Sequence, residues 1–212
     1  MQLGCGILAI WYDCAPGQTD GVERWYLVEH LLERLSIPGI RRGRRYRRIA
    51  GSPEDLPEYM TCYETDSAEV LTSSHYLARV NDPTPETHRV MTSAFQNMIR
   101  TICRRVAGAG AIRSRHTVAV VSRQGGAIVL DDLPVPSPGT LWRECWVSAE
   151  PEDQKVSEEE SLRGRDAKIS SCALIDCATE QDALALASRI ELPGKQVSVY
   201  ELTYSLNAAD LP

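Results

Sequence analysis

The chain contains one pattern twice: an apolar, strand-like segment runs through a capped turn into a short amphipathic helix. In the first half, Tyr59–Thr65 leads to Asp66, and in the second half, 172–178 leads to Thr179. Each cap is followed three residues later by an acidic side chain, an arrangement that satisfies the free backbone amides at a helix start. The repeated pattern therefore predicts two related units that each combine strands with helices.

The elements predicted around this pattern give the first half the order β-α-β-β-α-β. Strands are expected at 3–12, 41–49, 59–65 and 98–106, and helices at 21–35 and 67–79, with one further helix inserted at 86–96. The segment 51–57 is expected to connect the second strand to the third. In the second half, strands are expected at 116–123, 142–149, 169–178 and 196–206, and a helix at 180–192. The glycines and prolines of 124–139 argue against a long helix there, and 150–165 is a charged loop or a short exposed helix.

Composition describes an ordinary globular protein. Of the 212 residues, 43% are hydrophobic and 25% are charged. No apolar run approaches the roughly 20 residues that span a bilayer, and the start lacks the pattern of a secretion signal. We therefore expect a cytoplasmic protein with no membrane partner. The seven cysteines form no CxxC pair, which favours buried, reduced thiols over a disulfide framework.

Charge is concentrated in one basic segment, although the net charge of the chain is −6. Residues 41–48 carry six arginines around Gly43 and Tyr46. In a strand, the arginines at 42, 44 and 48 share a face with Tyr46, and those at 41, 45 and 47 point the opposite way. Three interpretations stay open: structural ion pairing, binding of an anionic ligand, and binding of nucleic acid. The acidic remainder and the single Phe argue against a nucleic-acid partner.

Several motifs of the first half occur in an order and spacing that is also found in one group of known proteins. They are Trp25-x4-His30-Leu31-x-Glu33-Arg34-Leu35, Ile37-Pro38-Gly39, Arg44-Arg45-Tyr46, Pro57-x-Tyr59-x3-Tyr63-Glu64, Val70-Leu71-x2-Ser74 and Tyr76-Leu77. In these motifs, residues 3–106 resemble the small ferredoxin-like proteins of the dimeric α+β barrel superfamily, and within it the EthD-like and related uncharacterised proteins.

Together with the repeated pattern, which alone covers the second half, the resemblance implies an α+β fold made of two tandem ferredoxin-like units, the second degenerate, whose antiparallel sheets pack as an α+β barrel. The glycines at 108 and 110 then place the boundary between a unit of residues 1–110 and a unit of residues 111–212. Members of this superfamily pair their sheets between chains or between tandem units. Both a homodimer and a barrel closed within one chain are therefore expected alternatives.

The resemblance also places five polar residues around a cleft between the sheet and the helices of the first unit. His30 is the candidate catalytic acid or base, and Tyr46, Tyr63, Glu64 and Arg100 are candidate substrate-binding residues. Each has a structural alternative. His30 could be a hydrogen-bonded histidine at the edge of the core, and Glu64 could form a buried ion pair with an arginine at position 45, 47 or 100.

Two functions follow from these residues. The first is a small-molecule-binding protein or enzyme that performs acid/base or oxidative chemistry on a small organic or anionic ligand. The second is a non-catalytic structural or interaction protein of the same fold, because the chain has no strong catalytic motif. The four histidines show no metal-binding spacing, so we predict neither a metal nor another cofactor. Some superfamily members bind haem, but nothing in the sequence marks an axial ligand.

Overall fold

A computed structural model describes residues 4–51, 56–153 and 155–211. Part of the expected first strand, most of the expected 51–57 connection, and one position of the 150–165 segment lie outside the described residues. The described chain contains eight strands: β1 (Gly6–Cys14), β2 (Ile40–Ala50), β3 (Tyr59–Thr65), β4 (Phe95–Gly110), β5 (His116–Ser122), β6 (Thr140–Ser148), β7 (Ser171–Cys177) and β8 (Lys195–Asn207). Their positions agree with the predicted strands to within a few residues.

The eight strands form one closed antiparallel barrel in the order β1-β3-β2-β8-β5-β7-β6-β4. Two long strands close it. The start of β4 pairs with β1, and its end, from Cys103 to Gly110, pairs with β6. β8 pairs with β5 near its start and with β2 along its second half. Hydrogen bonds therefore continue around the whole barrel, and among the described strands no sheet edge is left unpaired.

This closure corrects the predicted fold class. An α+β fold of two tandem ferredoxin-like units, with separate antiparallel sheets packed as an α+β barrel, is wrong: the strands of both halves belong to one closed β-barrel. The physical reason is the length of β4 and β8. Each extends beyond its partner in its own half and hydrogen-bonds the other half, so the halves join edge to edge. The predicted domain division between residues 110 and 111 falls between β4 and β5 and stays a prediction.

Alternation along the strands divides the apolar side chains into an inner and two outer sets. On β1, Ile7 and Trp11 belong to a cluster inside the barrel, whereas Leu8 and Ile10 belong to a cluster beneath helices of the first half. A third cluster lies outside the second half, under the helix that follows β7. The predicted two faces of β3 are confirmed, since Tyr59 and Tyr63 lie in the outer cluster and Met60 lies inside the barrel.

Short helices cover the outside of the barrel. They are α1 (Thr19–Trp25), a π-helical turn (Tyr26–His30), α2 (Leu31–Leu35), a 3₁₀ turn (Ala68–Thr72), α3 (Ser74–Val80), α4 (Pro85–Ser93), α5 (Glu158–Arg163) and α6 (Glu180–Ala187), with further 3₁₀ turns at Leu130–Asp132 and Ala208–Asp210. None of the described helices is long and apolar enough to cross a membrane.

The two predicted helix caps have different outcomes. Thr179 caps α6 as expected: its hydroxyl accepts a hydrogen bond from the backbone N–H of Asp182, whose carboxylate accepts one from the N–H of Thr179. Asp66 does not cap a helix. The 3₁₀ turn after β3 begins at Ala68 without a side-chain cap, and Asp66 pairs with Arg41. The first helix of that region, α3, is capped by Ser73.

Candidate functional site

A small cavity lies between the π-helical turn and the outer face of the barrel in the first half. Its volume is about 30 Å³, roughly the space of one water molecule. Side chains from β1, β3, β4 and five helical segments enclose it: Leu8, Ile10, Tyr26, His30, Arg34, Tyr63, Tyr76, Met91, Phe95, Met98, Arg100, Glu159 and Arg163. Three of the five predicted site residues, His30, Tyr63 and Arg100, therefore lie together here.

His30 ends the π-helical turn and is 4% exposed. The continuous helical path from Thr19 to Leu35 confirms the predicted helix, but the wider turn within it was not predicted. Such single π turns occur often at functional sites, because the extra residue re-aims a side chain. The His30 ring stacks on Trp25 at 4.0 Å and meets Tyr26 edge-on at 5.2 Å. These contacts fix the imidazole while its Nδ1 is buried and has no hydrogen-bond partner among the described residues.

The electrostatic environment keeps His30 uncharged near neutral pH. Burial lowers the pKa of His30 well below its usual value, and the positive charges of Arg34, Arg163 and Arg100 lower it further. A neutral imidazole has one nitrogen that can accept a proton or a hydrogen bond. His30 can therefore act as a proton acceptor toward a group placed in the cavity.

Tyr63 supplies a hydroxyl to the same cavity. It projects from the outer face of β3, and its ring centre lies 6.3 Å from that of His30. The hydroxyl is buried and has no hydrogen-bond partner among the described residues. Burial, with the neighbouring Tyr26, raises the pKa of Tyr63 well above its usual value, so the phenol keeps its proton. It is a hydrogen-bond donor for which the described part of the chain supplies no acceptor.

A buried ion pair holds part of the second half over the cavity, and a second ion pair lies within that covering segment. Arg34 of α2 pairs with Glu159 of α5, and both side chains are buried. Arg163 pairs with Asp166 at 2.7 Å. The segment after α5 is also tied to β4, since the N–H of Arg100 donates to the carbonyl of residue 167 at 3.0 Å. The site is therefore closed by a segment 125 residues away from Arg34 along the chain.

Arg100 lies at the base of the cavity on β4 and is 7% exposed. Its guanidinium donates a hydrogen bond to the Tyr76 hydroxyl at 2.5 Å. Burial acts to lower the pKa of Arg100, but Tyr76 and Asp166 outweigh burial and raise it above its usual value. The guanidinium is therefore charged although it is buried.

Tyr76 and Arg100 also line a second, larger cavity that we call the outer chamber. Its volume is about 320 Å³, within the usual range for small-molecule sites. The remaining lining residues are Thr72, Leu77, Val80, Asn81, Pro151, Asp153, Lys155, Val156 and Ser157. Several of these are exposed, so the chamber is accessible from solvent. The Tyr76–Arg100 pair separates it from the small cavity beside His30.

The other two predicted site residues lie elsewhere. Tyr46 is inside the barrel, where its hydroxyl accepts a hydrogen bond from Arg44 at 2.9 Å. Glu64 faces the same way as Tyr46, at the end of β3, and pairs with Arg42 at 2.5 Å. The expectation that Arg100, or an arginine at 45 or 47, would be the partner of Glu64 is thus wrong. The substrate-binding roles of Tyr46 and Glu64 stay predictions, but these residues do not share a cavity with His30.

The arginine-rich segment forms ion pairs along β2. Arg44 reaches Glu144 at 3.6 Å inside the barrel, and Arg47 reaches Glu58 at 2.9 Å outside it. Arg45 pairs with Glu23 and packs over the rings of Tyr12, Tyr26 and Tyr59. These contacts favour the structural interpretation of the segment.

Sequence reasoning missed the residues that complete the site. Arg34 was within the family-like motif and stands one helical turn after His30, so its position was a usable signal. Tyr76 also belongs to one of these family-like motifs. Nothing in the sequence linked Glu159 and Arg163 to this site, because they come from the charged segment of the other half. Among the described residues, no cluster of His, Cys, Asp or Glu is arranged to hold a metal ion.

Comparison with known proteins shows the fold but no family. No family model matches the chain, and no curated protein matches it by sequence. The predicted EthD-like relationship therefore has no support from sequence families. A crystal structure of an anthrone oxidase-like protein aligns with a TM-score of 0.56 at 8% identity, covering 99% of this chain and 95% of the other. A "Putative monooxygenase" from Fusobacterium nucleatum subsp. nucleatum aligns with a TM-score of 0.53 at 7% identity, covering 97% and 96%.

Proposed function

We propose that this protein is a small-molecule enzyme in which His30 removes a proton from a bound organic acid and nearby guanidinium groups stabilise the anion formed. One observation carries the proposal: around a single buried cavity, Nδ1 of His30, the hydroxyl of Tyr63 and one Nη of Arg34 all lack a hydrogen-bond partner among the described residues. Buried polar groups are normally paired, and three convergent exceptions are typical of a site that binds something.

The groups of the cavity have complementary roles in such a reaction. The neutral imidazole of His30 accepts the proton of a phenol or an activated C–H group. The phenol of Tyr63 donates a hydrogen bond to the oxygen on which negative charge develops. The positive charges of Arg34 and Arg100 stabilise that charge in a buried environment, where electrostatic interactions are stronger than in water.

Oxygenation of the anion is the specific reaction we propose, and the names of the structural neighbours support it. An anthrone has a CH₂ group that is acidic because its anion is delocalised over the rings and carbonyl. The His30 imidazole takes one of its protons, and the electron-rich anion then reacts with molecular oxygen, which is the oxidant. In the overall reaction both C–H bonds of the CH₂ group break, one oxygen atom becomes a new carbonyl, and the other leaves as water.

A non-catalytic protein is the second candidate, and the size of the small cavity favours it. About 30 Å³ holds a single water molecule, and one water could satisfy the free groups of His30, Tyr63 and Arg34 together. In that case the polar cluster would be structural. The reaction would require the organic molecule to enter from the outer chamber by displacing the Tyr76 and Arg100 side chains.

Oxygen consumption with anthrone as the probe tests the proposal. We expect the purified chain to accelerate oxygen uptake above the rate in buffer, and His30→Gln to lower the enzymatic rate by roughly 10²–10⁴-fold, the usual contribution of a general base. His88→Gln is the matched control, because His88 is an exposed histidine of α4. A wild-type rate equal to that in buffer would favour the non-catalytic candidate. Equal rates for the two histidine variants would exclude His30 as the base.

A further inference from the structure

Arg100 differs from every other buried arginine in the described chain. The buried arginines Arg34, Arg44 and Arg45 each pair with a carboxylate. Within residues 4–51, 56–153 and 155–211, no carboxylate oxygen lies within 4 Å of the Arg100 guanidinium, and its side-chain partner is the uncharged phenol of Tyr76. A buried charge without a counter-ion is costly, and proteins usually avoid it.

Asp166 and Glu150, the carboxylates whose negative charge acts on Arg100, are engaged by other groups. Asp166 accepts two hydrogen bonds from Arg163, at 2.7 and 2.9 Å. Glu150 accepts hydrogen bonds from the N–H of Ile102 at 2.7 Å and from Lys168 at 3.1 Å. Neither side chain is free to turn toward Arg100 without leaving its own partner. The positive charge of Arg100 is therefore available to a ligand.

The outer chamber combines this charge with apolar wall surface, so it fits a ligand that is both charged and apolar. Arg100 and Tyr76 form its inner wall, while Leu77, Val80 and Val156 supply apolar wall surface. The exposed side chains of Asp153 and Lys155, which carry opposite charges, lie at its outer part. Its volume of about 320 Å³ suits a small aromatic molecule. A flat, apolar molecule with one negatively charged end would place the charge against the guanidinium and its ring against the apolar wall.

We propose that the outer chamber binds small aromatic anions, carboxylates or phenolates, with Arg100 as the residue that recognises the charge and Tyr76 as the residue that positions it. This assigns a substrate class to the enzyme proposed above and rests on that function only for the link to catalysis. The guanidinium offers two parallel N–H donors, which match the geometry of a carboxylate. Tyr76 holds the side chain at the wall between the two cavities.

Equilibrium binding of benzoate and benzyl alcohol to the purified full chain tests the inference. The two probes share a ring, but only benzoate is charged at pH 7. We expect benzoate to bind wild type at least tenfold more tightly than benzyl alcohol, and Arg100→Gln to remove this difference. Arg104→Gln is the matched control, because Arg104 is exposed on the same strand. Val156→Trp, which changes an exposed wall residue, should weaken the binding of both probes.

The outcomes separate this inference from the proposed reaction. Similar binding of benzoate and benzyl alcohol to wild type would overturn it, and this comparison needs no variant to fold. Benzoate affinity within twofold of wild type in a folded Arg100→Gln variant, or in Val156→Trp, would also overturn it. Because binding is measured without turnover, Arg100-dependent binding by a chain that does not oxidise anthrone would support the chamber and refute the reaction. Turnover that depends on His30, together with benzoate binding that is unchanged in Arg100→Gln, would support the reaction and refute the chamber.

Discussion

Replacing Arg34 by Met is expected to destabilise the fold strongly, because it leaves a buried carboxylate without its partner. The Arg34 and Glu159 side chains are only 3% and 8% exposed. Met has a flexible, unbranched side chain of roughly similar volume, so the change removes the charge and leaves little empty space. Removing one member of a buried ion pair typically costs about 3–5 kcal/mol, most of it from the unpaired charge that remains. That is a large part of a usual unfolding free energy of about 5–15 kcal/mol.

The double variant Arg34→Met/Glu159→Met should recover most of the loss. Apolar side chains that replace both members of a buried pair are often neutral in stability, or stabilising, because no charge is left to desolvate. Arg79→Met is the matched control from an exposed pair. Arg79 bonds Glu33 of α2 at 2.8 Å but is 41% exposed, and such pairs contribute at most about 1 kcal/mol.

Urea unfolding at pH 7, followed by tryptophan fluorescence, measures these differences. Trp25 packs against His30 beside the site, so its emission should report loss of this region. The urea concentration at the midpoint should fall markedly for Arg34→Met, while the slope of the unfolding free energy against urea concentration stays the same. The midpoint should fall only slightly for Arg79→Met and little for the double variant. A cost for Arg34→Met within 1 kcal/mol of that for Arg79→Met would refute the reasoning. So would a double variant as unstable as the single one.

Three further outcomes are expected. Burial and nearby arginines lower the pKa of His30 below its usual value of about 6.5. As the pH falls below that value, the unfolded state takes up a proton at His30 before the folded state does. The unfolding free energy therefore falls with pH, by at most about 1.4 kcal/mol per pH unit. Unfolding midpoints from pH 5 to 8 should therefore slope less in His30→Gln, and equal slopes would contradict the prediction. Tyr63→Phe should leave the unfolding free energy unchanged, because the Tyr63 hydroxyl has no partner among the described residues. Tyr200→Phe should lower it by about 1 kcal/mol, because it removes a 2.7 Å hydrogen bond to the carbonyl of Pro57. Equal losses of stability in the two variants, measured by urea unfolding, would contradict this prediction. A thiol reagent at pH 8 should modify the exposed Cys5 quickly. Cys62 is buried, and burial raises its pKa to about 12, so it should react only when the chain unfolds. A fast phase of modification that persists in Cys5→Ser would contradict this prediction.

Local physics made the secondary structure predictable. The alternation along Tyr59–Thr65 assigns the two faces of β3, and apolar spacing predicts the helical path that ends at Leu35. The cap at Thr179 involves only residues three positions apart, so its chemistry is contained in the sequence. The cap predicted at Asp66 fails because Arg41, a residue far away along the chain, binds that carboxylate instead.

The candidate site was predictable only in part, and the strand geometry explains why. Tyr63 and Glu64 are neighbours on one strand, so they point to opposite faces and cannot share a cavity. Alternation separates the faces of a strand without showing which one lies inside the barrel. Tyr46 and Glu64 face the inside, and this separates them from His30.

The succession of strands along the chain, the two faces of β3 and the position of His30 on the first helix follow from residues close together along the chain. Tertiary structure decided the rest: the pairing of β4 with β6 and of β2 with β8, and the placement of Glu159 over a cavity of the first half. Those contacts join residues far apart in sequence. Many pairings of strand edges satisfy the same local patterns, and only the folded chain selects the one that closes the barrel.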